Sequence, residues 1–438
     1  MGRELRRFRE EHPASLALFE RAKASLLSGV PMNWMTRWAG GFPVFAKEAD
    51  GAHFTDVDGR TYVDLCLGDT GAMTGHAPEP TVRAVTEQAR RGITLMLPTE
   101  DAPWVGEELS RRFGLPVWQF ALTATDANRF VIRLARRLTG RPKILVHNWC
   151  YHGTVDETFI TLEDGVLRPR EGNLGPPVDP SVTTKVVEFN DIPALEAALA
   201  PGDVACVLAE PALTNIGIVL PEPGYHEALR EITRKTGTLL VIDETHTICA
   251  GPGGFTRAYG LEPDFVTIGK PIAGGIPAAA YGFTTEIAEL LEPLTSEEEA
   301  DTGGIGGTLA ANALSFAAMR ATLEHVLTDE AFGRMIALGG RFEAGVQSVI
   351  DDRALPWHVT RLGCRAEYLF QPERPKNGSE AASRIDPELD RFMHLYALNR
   401  GILMTPFHNM ALMSPATTEQ DVDLHTKVFD EAAAELFA

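Results

Sequence analysis

Phe265-Val266-Thr267-Ile268-Gly269-Lys270-Pro271-Ile272-Ala273-Gly274-Gly275 sets a short apolar and β-branched run against a lysine and a glycine pair. The run does not alternate between apolar and polar residues, which predicts a strand buried on both faces. The same texture recurs at Lys143–His147, Lys185–Phe189, Val204–Ala209, Leu239–Ile242 and Ala278–Phe283, mostly followed by a turn signal and a helical stretch. Strands alternating with helices predict an α/β fold, with a mostly parallel central sheet flanked by helices. In such sheets ligands bind at the carboxyl ends of the strands, which is where Lys270 stands.

A phosphate-loop lysine is excluded, because Pro271 follows Lys270 in place of Ser or Thr and the upstream glycine is missing. An amine that forms an imine also needs a partly desolvated strand end, and glycines there let the backbone pass close to a flat ligand. A plain surface lysine is the alternative for the motif taken alone. A second apolar run, Leu239-Leu240-Val241-Ile242, ends in Asp243-Glu244-Thr245. A carboxylate at that place can pair with a protonated pyridine nitrogen, or simply cap the next turn. In Ala121-Leu122-Thr123-Ala124-Thr125-Asp126-Ala127-Asn128, two threonines precede a helical stripe of Phe130, Leu134 and Leu138 that stops at Gly140. Free N–H groups and hydroxyls at a helix start hold a phosphate, or the threonine is an ordinary N-cap. Tyr151-His152-Gly153 follows the strand Lys143–His147, and its ring can stack on a flat cofactor or pack within a loop.

The chain has 438 residues, 44% hydrophobic and 23% charged, which is ordinary for a globular protein with more than one domain. A net charge of −20 without a basic run argues against nucleic acid or an anionic membrane as partner. The five scattered cysteines form no CxxC pair and read as free thiols in a reducing compartment. Residues Met1 to Glu11 are charged and lack the apolar run of a leader, so the expected location is the cytoplasm. No metal site is expected. Arg3–Leu27 reads as a helix laid on the surface of a partner. Phe54–Asp58 and Tyr62–Leu65 read as a hairpin turning at Gly59-Arg60. The chain from about Leu314 reads as largely helical, including the polar stretch Gln371–Ser379 and an amphipathic helix Glu419–Leu436. The domain boundaries drawn are 1–65, 66–313 and 314–438.

Taken in order, these motifs resemble class III (subgroup II) aminotransferases of pyridoxal 5′-phosphate (PLP) fold type I. The branch is the one similar to glutamate-1-semialdehyde aminomutase and amine or β-amino-acid transaminases. The resemblance runs from about Leu27 to the C-terminus. Asp243-Glu244 with Gly269–Gly275 carries it, supported by Asp56–Tyr62, Tyr151–Gly153, Glu210-Pro211 and Gly307-Thr308 with Asn312. It implies a large PLP-binding domain and a smaller α/β domain formed by the chain ends. Lys270 would carry PLP as a Schiff base and shuttle the proton, Asp243 would pair with the ring nitrogen, and Tyr151 would stack on the ring. Thr123, Ala124 and Thr125 would hold the phosphate, and Thr308 would reach the phosphate of a neighbouring subunit in a homodimer with shared active sites.

The chain departs from the family pattern at Leu122, Ala124 and Asp126, where Asn, Gly and Glu are usual. Ala124 is expected to lose the freedom at positive φ that glycine has there. Thr245 replaces a valine under the ring and is followed by His246. Trp34, Met35 and Trp38 beside Arg37 offer apolar area and one positive charge for a substrate, or a structural lid. Arg365 is a second candidate partner for a substrate carboxylate, or an ion-pair partner of Glu367. The expected reaction is transfer of an amino group from an amine or amino acid to a small keto acid. Its rivals are an aminomutase acting within one molecule and a PLP-binding protein without turnover.

Overall fold

The computed structural model describes residues 1–175, 178–296 and 303–436. They pack as two compact units. The first comprises Met1–Pro78, Glu330–Arg374 and Arg384–Ala438, and the second Glu79–Asp329 with Pro375–Ser383.

The first unit begins with two helices, Gly2–Glu11 and Pro13–Ala22, rather than one. Pro13 at the start of the second helix costs no intrahelical hydrogen bond. One face of the first helix is covered within its own unit. Phe8 is fully buried in its own unit against Phe42, Phe54, Tyr62, Leu395 and Leu398. The strands β1 (Ala46–Asp50), β2 (His53–Asp56) and β3 (Thr61–Asp64) form an antiparallel meander. Gly59 at φ +83 makes the predicted hairpin turn. Ile402–Leu403 adds alongside β3 in parallel. The later part of this unit is not only helical. His358–Leu362, Arg365–Leu369 and Met410–Leu412 form a second antiparallel sheet.

In the second unit a seven-stranded sheet is made by β4 (Val117–Ala121), β5 (Lys143–His147), β8 (Thr184–Val187), β9 (Val204–Ala209), β10 (Leu239–Asp243), β11 (Phe265–Ile268) and β12 (Ala279–Phe283). The labels β6 (Ile160–Glu163) and β7 (Val166–Pro169) belong to a separate hairpin. The strand order is β4-β12-β11-β10-β9-β5-β8. Only β12 runs antiparallel to its neighbours, so the carboxyl ends of β4, β5, β9, β10 and β11 lie along one edge. The helix Ala124–Thr139 lays Ala127, Phe130, Val131 and Ala135 into a core shared with Ile144, Val146, Leu208, Val241 and Phe265.

Two stretches read as part of the smaller domain belong to this unit. Helix Ala313–His325 bonds the helix Glu79–Arg91 through Thr322 and Thr81, whose hydroxyl oxygens are 2.9 Å apart. Pro375–Ser383 packs through a short helix, Gly378–Ala382, where Ser379 Oγ meets Asn148 Nδ2 at 3.1 Å. Among the described residues no helix is long and apolar enough to cross a membrane.

Candidate active site

The strand ends carry Thr123, Ala124, Thr125, Tyr151, Asp243, Thr245 and Lys270 of the second unit to one edge of the sheet. The parallel register sets Asp243 of β10 opposite Thr267 of β11. Asp243 is buried, and Oδ2 accepts hydrogen bonds from His152 Nδ1 at 2.9 Å and Asn128 Nδ2 at 2.8 Å. Its Oδ1 accepts from the Thr245 N–H at 3.0 Å. Asn128 is itself oriented by Thr267 Oγ1, which donates to its Oδ1 at 2.7 Å. Burial works against the Asp243 charge, but the His152 hydrogen bond and charge, with Thr245 and Asn128, outweigh it and hold the carboxyl at about 2. Burial likewise works against charge on His152, yet Cys150 and Asp243 raise it well above the usual imidazole range. Asp243 is therefore an ionised carboxylate on a fixed bed of three donors.

Lys270 leaves β11 through Gly269 and enters a single 3₁₀ turn, Lys270–Ala273. Its own φ is +48, a left-handed conformation that costs a side-chain-bearing residue roughly 1–2 kcal/mol. Nζ lies 2.7 Å from His246 Nε2. Gly269 passes the start of helix Ala124–Thr139 so closely that a Cβ there would meet Ala124 Cβ at 3.1 Å and Ala124 N at 3.2 Å.

At that helix start, Thr123 is the N-cap. Its Oγ1 accepts from Asp126 N at 3.2 Å and donates to Asp126 Oδ2 at 2.9 Å, so the hydroxyl serves the helix. Ala124 lies within the helix rather than at positive φ, so the expected loss of freedom does not arise. The first helical N–H groups, on Ala124 and Thr125, have no intrahelical acceptor. Thr125 Oγ1 accepts from Thr154 N at 3.1 Å. Gly153, at φ +77, makes that approach possible, since a Cβ would fall 2.1 Å from Thr125 Oγ1. Tyr151 is held by its backbone N–H, which donates to Glu210 Oε1 at 3.0 Å, and its ring stands edge-on to Phe159. Thr245 is buried beside Asp243.

The other predicted residues are placed within their own units. Thr308 is exposed in the second unit. Trp34, Arg37 and Arg365 belong to the first unit. There Trp34 packs on Trp38 and Phe407, and Arg37 is exposed. Arg365 is fully buried, 3.5 Å from Glu367, which is in turn 3.3 Å from His408. That is the ion-pair alternative for Arg365. Asn128 and His152 were not among the predicted site residues, although both lie within segments singled out in the sequence. Only the pairing of distant strand ends shows that they converge on Asp243.

The family described as aminotransferase class-III matches residues 34–431. The chain belongs to the class-III aminotransferases. One relative is the glutamate-1-semialdehyde 2,1-aminomutase of Sorangium cellulosum, 34% identical over 96% of each chain. Among solved structures, a glutamate-1-semialdehyde-aminomutase from Pseudomonas aeruginosa PAO1 is 52% identical at TM-score 0.97, covering 99% of this chain and 97% of that one. A lysine-to-alanine variant of that protein, in complex with PMP, is 51% identical at TM-score 0.97, with the same coverage.

The cofactor of a class-III aminotransferase is PLP, and the residues here fit it. Asp243 supplies an ionised carboxylate for a protonated pyridine nitrogen, and Lys270 a strand-end amine. Ala124 and Thr125 offer free N–H groups at a helix start for a phosphate. The absent Cβ of Gly269 leaves the Lys270 turn and this helix start side by side.

Proposed function

We propose that this class-III aminotransferase moves an amino group between adjacent carbons of one molecule, as a 2,1-aminomutase acting on glutamate-1-semialdehyde. The match to aminomutases over 96% of both chains carries the reading, and the 52% identical structure bears the same name. It favours the one-molecule alternative over transfer between a separate amine and keto acid.

When bound, PLP supplies the electron sink that lets a substrate C–H proton be lost. Lys270 would bond the cofactor, and its amine, once released, would take that proton and return it at another carbon. Asp243 would hold a negative charge against the ring nitrogen, and His152 with Asn128 keeps Asp243 ionised and aimed. Tyr151 and Thr245 would pack against the ring. Ala124 and Thr125 would hold the phosphate by N–H groups, while the Thr123 hydroxyl fixes the helix start. The active form is a homodimer in which Thr308 reaches the phosphate site of a second copy. In support, Met96, Leu97 and Leu309 are 79%, 70% and 53% exposed, apolar surface that a second copy would cover. Ala313 N–H bonds Ile93 O at 3.0 Å and ties the two segments together.

The test is glutamate-1-semialdehyde given alone. The expected product is its isomer with nitrogen moved from carbon 2 to carbon 1, formed without added donor or acceptor. Turnover that requires a separate amine and keto acid would establish the transaminase reading instead.

A further inference from the structure

We propose that His246 is a positioning residue for Lys270, holding the reactive nitrogen through an Nζ–H···Nε2 hydrogen bond. The inference rests on the reading of Lys270 as the residue that bonds PLP.

Two pieces of local structure set the pair up. On one side, the backbone around His246 is pinned. Thr245 N–H donates to Asp243 Oδ1 at 3.0 Å, and Thr247 Oγ1 donates to Glu244 Oε2 at 2.6 Å. Glu244 is wholly buried and also accepts from Phe255 N at 3.0 Å and Thr256 N at 2.5 Å, which locks the turn onto the next helix. His246 is the N-cap residue of the turn Thr247–Ala250, between these anchors. On the other side, the Lys270 backbone is set by the left-handed φ of +48, Pro271 after it and Gly274 at φ +61. A four-carbon lysine stem has many rotamers, so a contact at its far end narrows where the nitrogen sits.

The 2.7 Å contact between Nζ and His246 Nε2 is a contact of that kind. Taking Nζ as the donor requires Nε2 unprotonated and the imidazole proton on Nδ1. The arrangement suits a base that must visit two neighbouring carbons in turn. The imidazole gives the amine one resting place between the two transfers, and a base must be within hydrogen-bond reach of its proton to act. No bond is made or broken on His246 itself. The residue stands where the family pattern does not lead one to expect a histidine, after Thr245.

The experiment uses the apo-protein and two cofactor forms. PLP is added, and covalent capture is followed by quenching with borohydride and weighing the protein. Pyridoxamine phosphate, which has no aldehyde and cannot bond a lysine, measures the cofactor site alone. His246→Leu removes the acceptor at similar volume. The covalent capture rate should fall about tenfold, the lower end of what a hydrogen bond to a charged group is worth. Pyridoxamine phosphate affinity should stay within about twofold of wild type. His246→Gln, whose amide oxygen can accept from Nζ, should restore capture to within about threefold, at an unchanged melting temperature. If His246→Leu does not fold, His246→Ala takes its place. Undiminished capture overturns the proposal. So does a parallel loss of pyridoxamine phosphate affinity, which would make His246 a direct cofactor contact, or a Gln variant as slow as Leu. Attachment mapped to another lysine in the wild type overturns the Lys270 reading and this proposal together. Attachment at Lys270 with undiminished speed in the variants overturns this proposal alone.

Discussion

Asp243→Asn changes one atom at the most connected point of the site. The carboxylate accepts three hydrogen bonds, from His152 Nδ1, Asn128 Nδ2 and Thr245 N. An asparagine has one oxygen and one NH₂ in place of two oxygens. If its oxygen faces His152 and Asn128, its NH₂ opposes the Thr245 N–H. Turned the other way, the NH₂ opposes two donors. Leaving one buried donor unsatisfied costs about 1–3 kcal/mol, so the apo-protein should unfold at lower urea by that amount. The lost charge matters separately for chemistry. Asp243 is held at about 2 and is ionised at any working pH, whereas asparagine never is. A hydrogen bond to a charged group is worth roughly 1.5–3 kcal/mol, so removal of the substrate proton should slow roughly ten- to a hundredfold. The assay is single-turnover exchange of the substrate carbon-bound proton in D₂O, with pyridoxamine phosphate affinity as the control. An unchanged exchange rate in a folded variant would reduce Asp243 to an internal partner of His152.

Gly153→Ala should push Thr125 out of place, because the new Cβ falls 2.1 Å from Thr125 Oγ1 at φ +77. Weakened pyridoxamine phosphate binding and a loss of more than about 1 kcal/mol of stability are expected, both readable by calorimetry. Arg365→Ala leaves the buried Glu367 with His408 as its remaining ion partner and should destabilise by up to about 3–5 kcal/mol in urea, while the KM of what still folds stays near wild type. A KM raised selectively for a carboxylate substrate would restore the carboxylate-binding role. Burial lowers His147 and His425 to about 3 and His394 to about 4, with His152 adding to the effect on His147 and Asn409 opposing it on His394. Such imidazoles take up protons only in the unfolded chain, so their contribution is fully present above pH about 6.5 and is lost as pH falls toward those values. Urea midpoints at pH 7 and 5 should differ in that sense, and equal midpoints would contradict the burial of these rings as neutral groups.

Much of this fold is visible in the sequence because its central strands are buried on both faces. Val204–Ala209 and Phe265–Ile268 are fully buried along their length, and their unbroken apolar texture gives their ends to the residue. The strand Val117–Ala121 escaped notice because Gln119 interrupts it and two of its five residues are only partly covered. Yet it delivers Thr123 to the site. Lys270 and Asp243 were legible because strand ends announce themselves by a change from apolar to charged residues. His152 and Asn128 were not, because their role depends on a carboxylate that is distant in sequence. Phe8 shows what an amphipathic pattern leaves open, since the same stripe can face a partner or, as Phe8 does, its own unit. Gln371–Ser379 reads as one stretch of the later domain, yet Pro375–Ser379 belongs to the second unit, where Asn148 bonds Ser379, because composition cannot tell which unit a loop docks on.

The account stands or falls on Lys270 as the residue that bonds PLP. The most direct measurement is borohydride reduction of the PLP-loaded protein, followed by digestion and mass spectrometry of the modified peptide. The account predicts a single reduced adduct on the peptide containing Gly269-Lys270-Pro271, and none in Lys270→Ala. An adduct on a different lysine, or one that persists in Lys270→Ala with turnover intact, would contradict it.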